Sequence, residues 1–162
     1  MEHRKVETAR DMMTRKVITL TTDMAALDAA EILIKNGISG APVVGKEGEL
    51  LGLLSEFDCL RAVAASDYEM DRHDARERVG DLMTREPKTV GPDMDLFSLA
   101  HAFVTQRVRR FPVVEDGKLL GQVSRRDALK AAIRLRHDRL EVHPHYPDYP
   151  RGREPIRNYP KG

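Results

Sequence analysis

Two short stretches of the chain carry residues arranged to recognise an anion and a diol. Gly52-Leu53-Leu54-Ser55-Glu56-Phe57-Asp58 and Gly121-Gln122-Val123-Ser124-Arg125-Arg126-Asp127 share the pattern Gly-x-x-Ser-x-x-Asp. Each sits where an apolar strand pattern gives way to a helical one. A helix start offers free backbone N–H groups and a partial positive charge, which suit an anion. An Asp there can accept two hydrogen bonds from a vicinal ribose diol, and the neighbouring Ser hydroxyl can reach ribose or phosphate. The spacing is equally that of a capping box, with Ser at the N-cap and Asp three residues on. One copy alone favours the cap.

A second group with chemistry is Arg109-Arg110. Guanidinium groups give phosphates bidentate contacts. Residues 37–57 hold one basic and three acidic side chains, whereas residues 107–126 hold six basic and two acidic. The bland alternative for this cluster is a solvated face or a dimer rim. Other candidates carry less. His137, His143 and His145 lack a fourth ligand and the i,i+4 spacing of a helical metal site. Cys59, on an early helical turn, reads as a small buried apolar residue. His101, inside a helix, reads as structural. Met12, Met13, Met24, Met83 and Met94 read as gap-fillers of the core. The sequence contains no Walker loop, nucleophile elbow, paired-Cys motif or metal triad. An enzyme is not expected.

The elements that must position these residues come in two copies. Asp11-Met12-Met13-Thr14-Arg15 recurs as Asp81-Leu82-Met83-Thr84-Arg85, an offset of 70. Ala41-Pro42-Val43-Val44 then matches Phe111-Pro112-Val113-Val114. One residue is lost in a turn, and Leu50-Leu51-Gly52, Ser55 and Asp58 match Leu119-Leu120-Gly121, Ser124 and Asp127 at an offset of 69. Each copy reads as strand, helix, strand, strand, helix, an α/β (α+β) arrangement. In the first copy a strand is expected at 17–20 and a helix from Thr22 or Asp23 to Asn36. That helix is expected to turn Leu27, Ala30 and Ile34 to one face and to stop at Asn36-Gly37. A hairpin of 42–44 and 50–54 and a helix over 55–65 follow. In the second copy the strand is 88–90, the helix 95–106, the hairpin 111–123 and the last helix 125–139. Arg107 replaces the stop glycine, so a differently built turn is expected there. Neither copy alone can bury both faces of a three-stranded sheet, but two packed together can. The organisation expected is therefore 6–65, a charged linker 66–78, 79–136, and a Pro/Tyr-rich extension 137–162.

Composition sets the outer limits. Among 162 residues, 41% are hydrophobic and 5% aromatic, so aliphatic side chains and Met must build the core. With 27 basic and 26 acidic residues, the net charge of +1 gives no global pull towards nucleic acid or an anionic membrane. No apolar run approaches the roughly 20 residues that span a bilayer. Residues 1–10 lack the apolar stretch of a signal peptide. A single Cys rules out an internal disulfide framework. These points suggest a cytoplasmic protein.

The order strand–helix–Pro-Val-Val hairpin–Gly-x-x-Ser-x-x-Asp–helix, twice in tandem, resembles the CBS domain pair, or Bateman module, over residues 6–133. In that frame the paired Ser-x-x-Asp favours ligand binding, with capping able to coexist. The resemblance implies two βαββα repeats packed as a pseudo-twofold pair that assembles into a flat homodimeric disk. It implies a regulatory role in which an adenine nucleotide (AMP, ADP or ATP) binds between the repeats. S-adenosylmethionine and NADH are secondary candidates. With no effector domain in the sequence, the regulated partner is expected to be a separate protein. The resemblance also implies composite sites. One joins Ser55 and Asp58 to Val108, Arg109, Arg110, Phe111 and Pro112, with Pro87 and Lys88 near the adenine. The other joins Ser124 and Asp127 to Ile38, Ser39, Gly40, Ala41 and Pro42, with Lys16 and Val17 near the adenine. Arg109 and Arg110 make the first the expected stronger phosphate site. The alternative is a structural module that binds no ligand and acts through dimerisation and protein contacts.

Overall fold

A computed structural model describes residues 6–65 and 77–142, with side chains described to residue 138 except at Ala65. The linker centre and the extension from residue 143, with His143 and His145, lie outside the described residues. The order is α1 (Ala9–Met12), α2 (Ala26–Lys35), β1 (Gly40–Val44), β2 (Leu50–Ser55), α3 (Glu56–Ala65), α4 (Val79–Leu82), β3 (Thr84–Arg85), α5 (Leu96–Gln106), β4 (Arg110–Glu115), β5 (Lys118–Ser124) and α6 (Arg125–Val142).

Each repeat is built on one antiparallel hairpin. β1 pairs with β2 from Gly40–Ser55 to Val44–Leu50, and β4 with β5 from Arg110–Ser124 to Glu115–Lys118. The segments expected as first strands contribute a single parallel bridge each, Leu20 to Val43 and Val90 to Val113. Their hydrogen bonds straddle the prolines: Leu20 N–H donates to the Pro42 carbonyl, and Val44 N–H donates back to Leu20. A proline can stand in such a strand because only its carbonyl is used.

Helix α2 starts later than expected. The Asp23 carboxylate accepts the Thr21 hydroxyl at 2.6 Å, and Ala25 remains extended. The buried residues are Ala26, Ala29 and Leu33; of Leu27, Ala30 and Ile34, expected on one face, Ala30 packs against the core and Ile34 points outward. Both faces of α2 are apolar, so periodicity alone does not say which one the core takes. At its end Gly37 has φ +61°, with Gly37 N–H bonded to Ile34 and Ile38 N–H to Leu33, a Schellman stop. Arg107 was expected to build a different turn. It adopts the same left-handed conformation, φ 54°, at the end of α5. Asp95 caps the start of α5, accepting from the Phe97 and Ser98 N–H groups and the Ser98 hydroxyl.

The repeats exchange their lead-in segments. Ala9, Met12 and Met13 are buried in the core of repeat 2, with Leu99, Phe111 and Val123. Val79 and Met83 are buried in the core of repeat 1, with Leu20, Leu33 and Leu54. Backbone bonds repeat the exchange: Ala9 N–H to Met94 and Leu96 N–H to Glu7 on one side, Val79 N–H to Met24 and Ala26 N–H to Glu77 on the other. β3 then adds an edge to β2, while Thr14 bridges Gln122 of β5. This crossing explains the glycine of each motif. A Cβ on Gly121 would lie 2.5 Å from the Thr14 carbonyl oxygen, and one on Gly52 would lie 2.7 Å from that of Thr84. Arg134 of α6 fastens the first lead-in through a two-pronged pair with Glu7 at 2.7 and 2.9 Å.

Candidate functional site

The two Ser-x-x-Asp motifs fold into capping boxes. Ser124 N–H and its hydroxyl both donate to Asp127 Oδ2, at 2.8 and 2.6 Å, and Asp127 N–H donates to the Ser124 hydroxyl oxygen at 3.2 Å. Ser55 and Asp58 repeat this at 2.9, 2.7 and 3.2 Å. Each hydroxyl proton is therefore committed to the carboxylate, and the Ser acts by fixing the Asp. What differs is the second carboxylate oxygen. Asp58 is buried and its Oδ1 lies 3.7 Å from an Arg61 nitrogen. Asp127 is half-buried, and among the described residues its Oδ1 has no donor.

Asp127 looks into a cleft of about 310 Å³ lined by Thr14, Lys16, Val17, Ile18, Ile38, Gly40, Arg110, Gln122, Ser124 and Asp127. Four places in the chain build it, Arg110 at the start of β4 being one. The stretch after Thr14 arrives from the exchanged lead-in, the turn after α2 brings Ile38 and Gly40, and the β5–α6 junction brings Gln122 to Asp127. Two cations, Lys16 and Arg110, line the cleft together with the carboxylate, while Val17, Ile18 and Ile38 supply apolar wall. The absence of a side chain at Gly40 is structural: a Cβ there would meet the Leu54 carbonyl oxygen at 2.9 Å. The volume stands at the lower end of the roughly 300–1,000 Å³ of small-molecule sites, which suits one nucleoside better than a dinucleotide.

Most residues expected around Ser124 thus come together there: Lys16, Val17, Ile38, Gly40, Ser124 and Asp127. Ser39 directs its carbonyl to the Glu56 N–H. Ala41 and Pro42, and likewise Phe111 and Pro112, are buried in the strands and are not among the residues that line this cleft. Phe111 packs on Phe103 with ring centroids 4.8 Å apart. Arg110 was assigned to the opposite site, but it lines the Ser124 cleft because the β4–β5 register sets it directly across from Ser124. Arg109 and Lys88 are exposed. Val108 is half-buried, and its carbonyl accepts the Arg125 Nε at 2.6 Å. Thr14, Ile18 and Gln122 were missed. The Met-Thr recurrence marked Thr14, but nothing local in the sequence shows that it crosses to the other repeat.

The backbone beside the two motifs also differs. Glu86, the repeat equivalent of Lys16, has a left-handed φ of 49°, and Lys16 does not. Cys59, next to Asp58, is buried, and burial pushes its thiol up, with the Asp58 charge adding to the effect. The expected packing role of Cys59 fits this setting. Met12, Met13 and Met83 are core residues, with Met24 and Met94 packed against them. Among the described residues no group of three metal-ligating side chains forms, and no helix is long and apolar enough to cross a membrane.

A family model described as the CBS domain matches residues 9–65 and again 79–134. The chain belongs to the CBS domain family. It is 32% identical over 124 residues to an uncharacterized protein of Methanocaldococcus jannaschii, MJ1225, covering 76% of this chain and 42% of that one. The chain thus spans less than half the length of that relative. Its fold superposes on CBSX2 of Arabidopsis thaliana, solved in complex with AMP, with a TM-score of 0.68 and 29% identity. That match covers 80% of this chain and 98% of CBSX2. The CBS domain pair of protein MJ0100, solved with 5′-methylthioadenosine and S-adenosyl-L-methionine, gives 0.61 and 25%, over 76% and 97% of the two chains. The tandem CBS architecture expected from the repeats is the one these comparisons find.

Proposed function

We propose that this CBS pair is a non-catalytic sensor that binds an adenosine phosphate in the Ser124–Asp127 cleft and signals the occupancy to a separate partner protein. The observation that carries the reading is the cleft itself. It places one unbonded carboxylate oxygen, two cations and an aliphatic wall within a volume suited to one nucleoside. In this assignment Asp127 Oδ1 accepts from the ribose diol, Val17, Ile18 and Ile38 flank the adenine, and Arg110 and Lys16 neutralise the phosphate. The phosphate preference thus belongs to the Ser124 site rather than the Ser55 site. The relatives solved with AMP and with adenosine thioethers support the adenosine class.

The ligand touches segments that both repeats own, so binding ties them together. Differential affinity for two arrangements of the repeats would shift their populations, which is what a partner reads. The exposed apolar helix faces of both repeats support pairing with a second copy.

Calorimetric titration tests the assignment. Arg110→Ala should weaken AMP by roughly 10- to 100-fold, the worth of a charged hydrogen bond, and leave uncharged 5′-methylthioadenosine unchanged. Unchanged AMP affinity refutes the role of Arg110. A thermal-shift panel of AMP, ADP, ATP and S-adenosylmethionine tests the sensor reading, because a ligand at 100 times its Kd stabilises by about 2.7 kcal/mol. No shift with any of them favours a structural module working through protein contacts alone.

A further inference from the structure

We propose that Gln122 is the residue of the Ser124–Asp127 cleft that reads the base, its side-chain amide pairing with the 6-amino group and the neighbouring ring nitrogen N7 of adenine. The proposal rests on the nucleoside reading above and adds what selects the base. Gln122 is half-buried and lines the cleft. Its backbone is fully used: the N–H donates to the Thr14 carbonyl at 3.0 Å, and the carbonyl accepts the Thr14 N–H at 2.8 Å. On its other side the strand pairs with Pro112. Strand alternation then fixes the side chain. Gly121 and Val123 are buried, while Gln122 and Ser124 take the opposite face, the one that lines the cleft. The amide itself has no hydrogen-bond partner among the described residues.

The fold does not call for an amide there. The repeat mate of Gln122 is Leu53. Leu53 pairs with Pro42 as Gln122 pairs with Pro112, and with Thr84 as Gln122 pairs with Thr14. The same backbone position thus carries an apolar side chain in one repeat and an unpaired amide in the other. Gln122 stands about 7 Å along the strand from Ser124, and Ser124 lies across from Arg110. A ligand whose ribose is held by Asp127 and whose phosphate meets Arg110 leaves its base for the Gln122 end. A planar amide offers a donor and an acceptor side by side, and adenine presents the complement at its 6-amino group and N7. A 6-oxo purine presents two acceptors at that edge and satisfies only half of the amide.

Calorimetric titration of the full chain reads the outcome with three probes: AMP, purine riboside 5′-monophosphate, which lacks the 6-amino group, and 7-deaza-AMP, which lacks the N7 acceptor. Wild type should bind each analogue roughly fivefold more weakly than AMP, the worth of one neutral hydrogen bond. Gln122→Leu should weaken AMP by roughly tenfold and bind all three probes alike. Gln122→Glu should keep the preference over purine riboside 5′-monophosphate, because a carboxylate still accepts from the amino group. It should lose the preference over 7-deaza-AMP, because it cannot donate to N7. A mere strand defect would weaken all three probes equally and preserve their ranking. Preferences that survive Gln122→Leu, or equal wild-type affinity for the three probes, overturn the role of Gln122 and leave the sensor reading standing. Wild-type protein that binds none of the three overturns both.

Discussion

Replacing Gly121 by Ala should unfold the exchanged lead-in before it touches anything else. The added Cβ would lie 2.5 Å from the Thr14 carbonyl oxygen and 3.0 Å from Met13 Sδ. The thioether can move, but the carbonyl is held: it accepts the Gln122 N–H at 3.0 Å, while Thr14 N–H donates to Gln122 at 2.8 Å. Relief requires the lead-in to lift off β5. Overpacking of this kind costs about 1–3 kcal/mol, and each weakened hydrogen bond adds about 0.5–1.5 kcal/mol. The stiffer unfolded chain of an Ala variant returns about 0.4–1 kcal/mol. The net loss is roughly 2–4 kcal/mol, or about 5–15 °C in Tm at this chain length. Urea denaturation followed by circular dichroism measures it. Gly91→Ala is the control, since a Cβ there meets nothing within 4 Å and the backbone is not left-handed; it should match or slightly exceed wild type. Gly52→Ala, against Met83 and Thr84, should destabilise as Gly121→Ala does but leave the Ser124 cleft intact. Only Gly121→Ala should also weaken ligand, because Thr14 is a cleft wall. Equal stability of Gly121→Ala and Gly91→Ala would refute the account of the motif glycines.

Two further outcomes follow from local chemistry. Burial raises the Cys59 thiol above its unfolded value, so the buried neutral form contributes stability that is complete below the unfolded pKa of about 8.5 and is lost as pH rises through the folded one. The wild-type urea midpoint should therefore fall more steeply than that of Cys59→Ala above that pH, and native protein should react slowly with a disulfide reagent at neutral pH; rapid stoichiometric labelling would contradict this. Glu86 is exposed and left-handed at φ 49°, a conformation that costs a non-Gly residue about 1–2 kcal/mol. Glu86→Gly should raise stability by up to about 1 kcal/mol after the extra unfolded-state entropy of Gly is subtracted, and a loss of stability would show that the Glu side chain has a role of its own.

How far the sequence could be read depends on whether each property is local. The Schellman stop at Gly37 and the two capping boxes follow from residues within five positions of one another, the hairpins from strands joined by a short turn, and all appeared where the pattern put them. The face of α2 was misread because Ala26, Ala29 and Leu33 compete with an equally apolar Ile34 stripe, and one-dimensional periodicity cannot tell a core face from an outward one. The strands expected at 17–20 and 88–90 reduce to one bridge each, because β-branched composition does not supply a partner. The side of the molecule that Arg110 serves is set by a strand register with Ser124, which family positions alone had placed across the cleft.

The exchanged lead-ins account for why such small repeats come as a pair and where a ligand gains purchase. Removing residues 6–14 would expose the core of repeat 2, not that of repeat 1, because Ala9, Met12 and Met13 are buried there. Four residues on from that buried helix, Lys16 and Val17 are already cleft wall. The chain between them has no room to relax independently: Thr14 is at once the bridge to Gln122, the neighbour of the Gly121 backbone and a lining residue. A ligand held by Lys16 on one side and Asp127 on the other therefore adds to the same contact that holds the lead-in on repeat 2. Its binding energy should appear as protection of residues 9–18 from hydrogen exchange rather than of α2 or α3, which share no residue with the cleft. Protection confined to α3 would place the ligand at Ser55 and Asp58 instead.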